Sequence, residues 1–565
     1  MNKKYYDAIY LKDLKELIDY GARSYGPQCA FKDLDTERNI HEYTFFQLKD
    51  DVEALGTALL ARGLQGKHFA ILGESSYSYV VSYFAVVNGV GVIVPLDKEH
   101  TTEELVNLVK KCDAEVLLYS NNLYADVMEL KNSCGNLTEV INISMYVNSF
   151  EDLDFMSLVK EGRQWIEEGD TRFQQMEIDT LALSGIFFTS GTTGANKGVM
   201  LCHKNLVTVV HSTYSLLGIS GVTISVLPIN HTFEFNIHVM GSIYAGATLC
   251  FNDSIIRVRE NLLKFKPNIS LMVPMIVESL YKNIWKEAER AKLDQHLKYG
   301  IWVSNVLRKF GIDKREQYFK PVLEAFGGNL RLIGCGGAPL RPEIVKGLDD
   351  LGISILNGYG ITECAPLISC NSPLRNIPGS VGILAPDVKV RIEGKRQDGN
   401  GEIQVMGDNV MLGYYKDEEC TRKTFTEDGW FKTGDIGYLD KKGALFITGR
   451  EKNLIILTNG KNVHPEELEE YLLNNLPYVK EVIVYAPEAY GQREVLITAH
   501  AYLDPEFLQR VGIEKAKSIF KEDVRRLNQK LASYKRIQDT LVRETEFEKT
   551  TTKKIKRYVI QRSQE

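Results

Sequence analysis

His68 to Asp97 reads HFAILGESSYSYVVSYFAVVNGVGVIVPLD, and its three parts have three different periods. HFAIL is a short apolar run ending in Gly-Glu-Ser-Ser, YSYVVSYFAVVNG is long enough and periodic enough for a helix, and VGVIVPLD is a second apolar run closed by proline and aspartate. A buried strand, a buried helix and a second buried strand form one βαβ step, whose strands must run parallel. Asn88, Gly89, Gly91 and Pro95 interrupt the apolar stretch from Tyr79 to Leu96, so it does not read as a membrane span, and no transmembrane segment is expected.

The same alternation extends outward from about Phe69 to Leu356. LSGIFFTS, ISVLP at 224–228, ISLMVP at 269–274, LRLIGCGG at 330–337 and ISILNGYG at 353–360 are further strand-like runs, several ending directly in glycine, proline or hydroxyl residues. The expected fold class is therefore α/β, with a large N-terminal domain of two subdomains built on largely parallel sheets. In such sheets ligands gather beyond the carboxyl ends of the strands, which makes those polar strand ends the place to look for chemistry. Between Ser279 and Gly327 the chain is rich in Lys, Arg, Glu and Leu, a helical elaboration whose role the sequence does not disclose.

After Gly379 the pattern changes to VKVRIEG, GEIQVMG and ALFITG, short strands of a small β lobe. From 450 onward a helix (EELEEYLLNN), two strands (VKEVIVYAP and EVLITAHAYL) and a lysine-rich amphipathic helix predict a compact α+β domain. The division expected is 1–449 as the large domain, with α/β subdomains to about 378 and the β lobe at about 379–449, and 450–565 as a mobile C-terminal domain.

Composition narrows the function. The chain of 565 residues is 44% hydrophobic and 25% charged, an ordinary globular balance, and its net charge of -6 disfavours a nucleic-acid partner, because phosphate neutralisation needs a basic surface. Nine cysteines occur singly, without a CxxC pair, and the opening MNKKYYDAIYLKDLKELIDYGARSYG reads as an amphipathic helix rather than a leader. A reducing, cytoplasmic setting is expected.

The sharpest local signal is Thr189-Ser190-Gly191-Thr192-Thr193-Gly194-Ala195-Asn196-Lys197-Gly198, directly after the apolar run LSGIFF. Glycines let the backbone present N–H groups to an anion, the hydroxyls add donors, and Lys197 supplies charge, which together make a polyphosphate cradle. It is not a Walker A loop, since Lys197 stands between Asn196 and Gly198 rather than before Ser or Thr.

FFTSGTTGANKGVMLCHKNL at 187–206 resembles the phosphate-loop signature of the adenylate-forming superfamily, which comprises acyl-CoA synthetases, nonribosomal adenylation domains and luciferases. NGYGITECAP at 357–366, TGDIGYLDKKGALFITGREKNLI at 433–455, NGKNVHPEELE at 459–469 and KTTTKKIKR at 549–557 resemble its later motifs, in the same order. The resemblance implies ATP-dependent conversion of a carboxylic acid to its acyl-adenylate, followed by transfer to a thiol. A carboxylate is already ionised at neutral pH, so the protein has only to position two anions and stabilise charge during phosphoryl displacement.

Carried over residue by residue, the resemblance assigns Thr189, Ser190, Gly191, Thr192, Thr193, Gly194 and Lys197 to the phosphates of ATP. Gly336, Gly337 and Ala338 border the adenine and the acyl group. Asn357, Gly358, Tyr359 and Gly360 continue the nucleotide site, with Tyr359 stacking on adenine and Thr362 reaching the α-phosphate. Glu363, with Thr192, faces Mg2+. Asp435 and Arg450 take the ribose, Lys452 matches a hinge, and Gly460 the thiol channel. Lys554 matches the catalytic lysine of adenylation. The usual glycine before it is here Lys553, which leaves two adjacent candidates for that role. Cys335 and Cys364, near this site, read as buried packing residues rather than nucleophiles.

LPINHTFEF at 227–235 resembles a segment of long-chain acyl-CoA synthetases in which the histidine, here His231, borders the acyl site; Glu234 follows it. The resemblance thus favours a medium- or long-chain fatty acid as substrate and coenzyme A as acceptor, with an acyl carrier protein as the alternative and a non-catalytic acyl or nucleotide sensor as a reading of another class. The last 45 residues hold 13 Lys or Arg against 7 Asp or Glu. That excess suits coenzyme A phosphates, a carrier protein or peripheral contact with an anionic membrane, and equally a solvated basic helix.

Overall fold

The structure, a computed structural model, describes residues 4–146, 153–190, 196–395, 399–457, 462–487, 496–549, 555–557 and 559. They form two compact units. One comprises the chain up to Lys389 together with Met406–Gly429; the other comprises Val390–Val405 and the chain from Trp430 onward.

In the first unit the βαβ step read from the sequence is present. Strand His68–Leu72 pairs in parallel with Val92–Pro95, and between them runs the helix Tyr77–Ala85, capped by Ser76 accepting from the Tyr79 N–H. All nine residues of that helix are buried, which is why it carries no polar face. A π-helical turn, Val86–Val90, follows, and Gly89 there adopts φ +135°, a conformation closed to side-chain-bearing residues. These strands belong to an eight-stranded sheet ordered Gly413–Tyr414, Asn196–Cys202, Leu183–Ser190, Val92–Pro95, His68–Leu72, Val116–Tyr119, Glu139–Asn142, Leu153–Asp154.

A nine-stranded sheet completes the unit in the order Ile383–Leu384, Leu367–Cys370, Ser354–Gly360, Leu332–Cys335, Ile269–Met272, Val222–Ser225, Thr248–Phe251, Cys29–Leu34, Ile40–Thr44. Its middle strands are parallel and, being covered on both faces, carry unbroken buried runs such as Ile269–Met272. Both sheets are mixed rather than simply parallel. The hairpin Cys29–Leu34 with Ile40–Thr44, the return strand Asn196–Cys202 and the strand Leu367–Cys370 pair antiparallel, because only a few residues of chain separate them from their neighbours and a parallel partner would need a long crossover.

The second unit contains most of a four-stranded sheet, Val388–Glu393, Gly401–Gly407, Phe431–Leu439 and Leu445–Arg450, and a three-stranded sheet of Val479–Tyr485, Thr498–Leu503 and Asp539–Arg543. Helices Pro465–Asn475 and Ile513–Asn528 contribute Leu468, Leu472, Phe520 and Val524 to a core with Val482, Val484, Ala499 and Ala501 of that smaller sheet. The α+β pattern expected of the C-terminal region is therefore present, with Asp539–Arg543 as a third strand, parallel to its neighbour, that the sequence did not announce. No helix among the described residues is long and apolar enough to cross a membrane.

Candidate active site

The parallel strands of the nine-stranded sheet end together. Val222–Ser225 lies beside Ile269–Met272, yet the chain leaves the first toward Thr248–Phe251 and the second toward Leu332–Cys335, in opposite directions across the sheet. Such a switch point opens a crevice at the carboxyl ends. Val222–Ser225 runs on to Leu227 and His231, Leu332–Cys335 to Gly336–Ala338, and Ser354–Gly360 ends in the nucleotide-motif glycines, with Cys335 opposite Asn357 in register. Sequence-remote segments are thus gathered by the sheet alone.

The strand ends are closely packed at one glycine and left-handed at the next. A Cβ on Gly336 would stand 3.2 Å from the Phe233 ring and 3.6 Å from the Gly358 carbonyl oxygen, and Gly337 sits at φ +86°. Gly337, Ala338 and Gly360 are exposed while Cys335 and Gly336 beneath them are buried, so the strand ends form an open mouth over a closed floor. Tyr359 is buried, Asn357 and Gly358 half-buried. His231, half-buried, accepts from the Phe233 N–H at Nδ1 (3.3 Å) and opens the π-helical segment Phe233–Val239. Within that segment Glu234 is fully buried and pairs with His238 Nδ1 at 2.9 Å, while His238 Nε2 meets Thr223 on the strand below. Glu234 thus faces the core, and Asn236 donates to the Ala365 carbonyl at 3.0 Å, fastening the His231 segment to the turn that follows Glu363.

The second cluster centres on the glycine-rich hairpin. Strands Leu183–Ser190 and Asn196–Cys202 are in register with Thr189 opposite Lys197, so Thr189, Ser190 and Lys197 bracket the hairpin's tip. Gly191, Thr192, Thr193 and Gly194 lie outside the described residues. Gly413–Tyr414 adds to the outer edge, Tyr414 opposite Val199. The Lys197 ammonium lies 4.7 Å from the Tyr414 ring centre and donates to Cys420 Sγ at 2.9 Å. Tyr414 Oη in turn donates to Glu363 Oε1 at 2.9 Å, and the Glu363 carbonyl accepts from the Met411 N–H at 2.9 Å. One tyrosine therefore bridges the lysine of the hairpin and the carboxylate of the Thr362–Cys364 turn. Burial and the nearby Glu363 carboxylate raise the Tyr414 phenol well above its ordinary value, so it remains a donor.

Glu363 is half-buried, and its Oε2 has no partner among the described residues. A fixed carboxylate with one oxygen to spare fits Mg2+, which binds through one or two carboxylates plus substrate phosphates and keeps several waters. Among the described residues no group of three His, Cys, Asp or Glu side chains could hold a resident metal. All nine cysteines are free thiols; Cys335 and Cys364 are buried, and burial pushes the Cys335 thiol far above its ordinary value, the property of a packing residue.

In the second unit Asp435 and Arg450 are cross-strand partners. Arg450 Nε lies 2.9 Å from Asp435 Oδ1, and Asp435 is buried while Arg450 is largely exposed. Lys452 follows in the short turn Glu451–Asn453. Lys553, Lys554 and Gly460 lie outside the described residues; on either side of the lysine pair, Lys549 bridges Glu481 and Glu546 and forms an antiparallel bridge with Ile555, and Arg557 meets Glu469.

Sequence reasoning missed Tyr414, Cys420, Phe233 and His238. Phe233 lies inside the 227–235 segment already singled out, and His238 three positions beyond it. Tyr414 and Cys420 had no local signal, since their partners lie more than 200 positions upstream or, for Glu363, in a separate strand connection.

An α/β protein with a glycine hairpin, a tethered carboxylate and small-residue strand ends at a switch point is built to bind an anionic ligand beyond those strand ends. The AMP-binding enzyme family model matches residues 21–415, and that of the AMP-binding enzyme C-terminal domain matches residues 452–564. The chain belongs to the AMP-binding enzyme family and is an AMP-forming acid–thiol ligase. The long-chain-fatty-acid–CoA ligase FadD15 of Mycobacterium bovis is 27% identical over 485 residues, 82% of this chain and 78% of its own. Long-chain-fatty-acid–CoA ligase 5 of Rattus norvegicus is 28% identical over 510 residues, 83% and 73% respectively. Among solved structures, the anthranilate CoA ligase AuaEII in complex with anthranoyl-AMP shares the fold, with a TM-score of 0.77 at 20% identity and 98% of each chain covered.

Proposed function

We propose that this enzyme converts a medium- or long-chain fatty acid to fatty acyl-AMP, releasing pyrophosphate, and then transfers the acyl group to coenzyme A. The observation that carries the reading is the Lys197, Tyr414, Glu363 chain of contacts, which ties a phosphate-type hairpin to a carboxylate with a spare oxygen. MgATP is the substrate: Thr189, Ser190 and Lys197, with the hairpin tip, hold its phosphates, and Glu363 receives the magnesium. Tyr359 and Gly336–Ala338 flank the adenine, Thr362 reaches the α-phosphate, and Asp435 and Arg450 take the ribose. Lys554 offsets charge on the reacting carboxylate and α-phosphate. His231 and Phe233 stand where the acyl chain leaves the reaction centre. The fatty-acid assignment is supported by the names of relatives matched over most of the chain.

We further propose the domain break at Gly449 and Arg450, with Lys452 as the pivot for a C-terminal domain that presents Lys554 and then Gly460. Acid-dependent exchange of labelled pyrophosphate into ATP, run across a chain-length panel, tests adenylation. Adding coenzyme A or acyl carrier protein then identifies the acceptor. Exchange confined to short or aromatic acids would reject the fatty-acid reading, and no exchange with any acid would favour a sensor.

A further inference from the structure

Helix Asp294–Lys309 is apolar on two opposite faces. Its inner face packs Leu297 and Ile301 onto the core and buries Ser304, and Arg308 bonds Asp349. At 100° per residue, Tyr299, Trp302, Val306 and Phe310 fall within one outer stripe about 80° wide. There Tyr299 is 67%, Trp302 63% and Phe310 77% exposed, the Tyr299 and Trp302 rings stack with centroids 5.9 Å apart, and Leu293 and Ile312 stand exposed just beyond the two ends of the helix. A surface helix needs one apolar stripe, which Leu297 and Ile301 already supply here, so the second, outer stripe is left uncovered among the described residues.

The surrounding charges indicate what that partner is. Residues 281–320 hold ten Lys or Arg and five Asp or Glu, in a chain of net charge -6. Arg308 and Arg315 are engaged by Asp349 and Asp313, whereas Lys292, Lys309 and Lys314 have no carboxylate within salt-bridge distance among the described residues. Lys298 flanks the stripe, shared between Asp294 and the Trp285 face. Trp and Tyr at the centre with a lysine rim suit the boundary of an anionic bilayer, where rings enter the headgroup layer and ammonium groups meet lipid phosphates. Another protein would be expected to contribute carboxylates opposite a basic rim; a second copy of this acidic chain would place the same lysines against each other.

We propose that the outer face of helix Asp294–Lys309 docks the enzyme on anionic lipid bilayers. It does not depend on which acid the enzyme activates. The test is co-sedimentation of the full-length chain with vesicles of phosphatidylcholine mixed with phosphatidylglycerol, against phosphatidylcholine alone. The wild type should partition onto the anionic vesicles and be released by salt. Tyr299→Ser, Trp302→Ser and Phe310→Ser combined should weaken partition about tenfold or more, with pyrophosphate exchange and circular dichroism unchanged. Lys309→Glu with Lys314→Glu should weaken it too while leaving the aromatic face intact. Equal partition of wild type and aromatic variant, absence of wild-type binding, or a change confined to oligomeric state in light scattering would each overturn the proposal.

Discussion

Tyr414 Oη and Glu363 Oε1 are 2.9 Å apart, and they join two segments that the chain separates by 51 positions. The tyrosine is placed by the Gly413–Tyr414 strand on the edge of the glycine hairpin, and the carboxylate by the turn beyond the strand Ser354–Gly360. Asn205 strengthens the join by donating to the Asp408 and Val410 carbonyls, and Asn409 by donating to the Cys364 and Leu367 carbonyls.

Tyr414→Phe removes only the hydroxyl. Losing that hydrogen bond should cost about 1 kcal/mol of stability. Its larger effect should fall on the carboxylate, which is then free to rotate. Pyrophosphate exchange should drop roughly tenfold, with a higher magnesium requirement and little change in KM for the acid. Titrating exchange against magnesium at fixed ATP reads this directly. A variant with unchanged magnesium dependence would show that the phenol supports the fold alone.

Glycine positions at the strand ends separate into two kinds. A Cβ on Gly360 would come within 2.0 Å of the Pro366 carbonyl oxygen, which is backbone and cannot step aside; on Gly336 it would meet the Phe233 ring at 3.2 Å, a side chain that can shift. Gly360→Ala should therefore unfold several degrees lower and lose exchange. Gly336→Ala should keep its melting temperature within about 1 kcal/mol of equivalent stability while altering the chain-length profile. Thermal melts paired with exchange assays distinguish them.

The parallel strands were legible because strands covered on both faces must be written as short unbroken apolar runs, as in ISLM and LIGC. The strand Asn196–Cys202 was not, since NKGVMLC opens with polar residues and glycine and reads as the exit of a loop. Tyr414 was invisible for a different reason: its value lies in what meets it across the hairpin and the turn, and no period or spacing encodes such a contact. Asp539–Arg543 is half-exposed with alternating burial, too weak a pattern to distinguish from the polar chain around it.

Glu469 makes stability depend on pH. It is buried, its Oε1 accepts from the Val484 N–H at 2.7 Å, and burial pushes its carboxyl up from the ordinary 4.5 to about 7 against the lowering pull of Arg557. Between those two values the folded state keeps a proton that the unfolded chain has released. Stability from this group is therefore present below 4.5 and lost as pH rises to about 7, by at most about 3 kcal/mol. Urea midpoints should fall over that window, and Glu469→Gln should flatten the slope. A variant as steep as the wild type would assign the dependence elsewhere.

Lys452 lies in the Glu451–Asn453 turn directly after the strand that ends at Arg450, the place proposed above for the pivot, since in a hinge a few backbone dihedrals absorb the motion. In the same downstream segment Lys549 pairs with Glu481 and Arg557 with Glu469, on either side of the undescribed Lys553 and Lys554. Lys452→Pro, which fits a turn but locks φ, should preserve pyrophosphate exchange and depress thioester formation about tenfold or more. Lys554→Ala should do the reverse, abolishing exchange while leaving thioester formation from a supplied acyl-adenylate largely intact. Lys553→Ala serves as its control. If both half-reactions fall together in Lys452→Pro, the pivot lies elsewhere in the chain; if Lys553→Ala alone stops exchange, the catalytic ammonium is one position upstream.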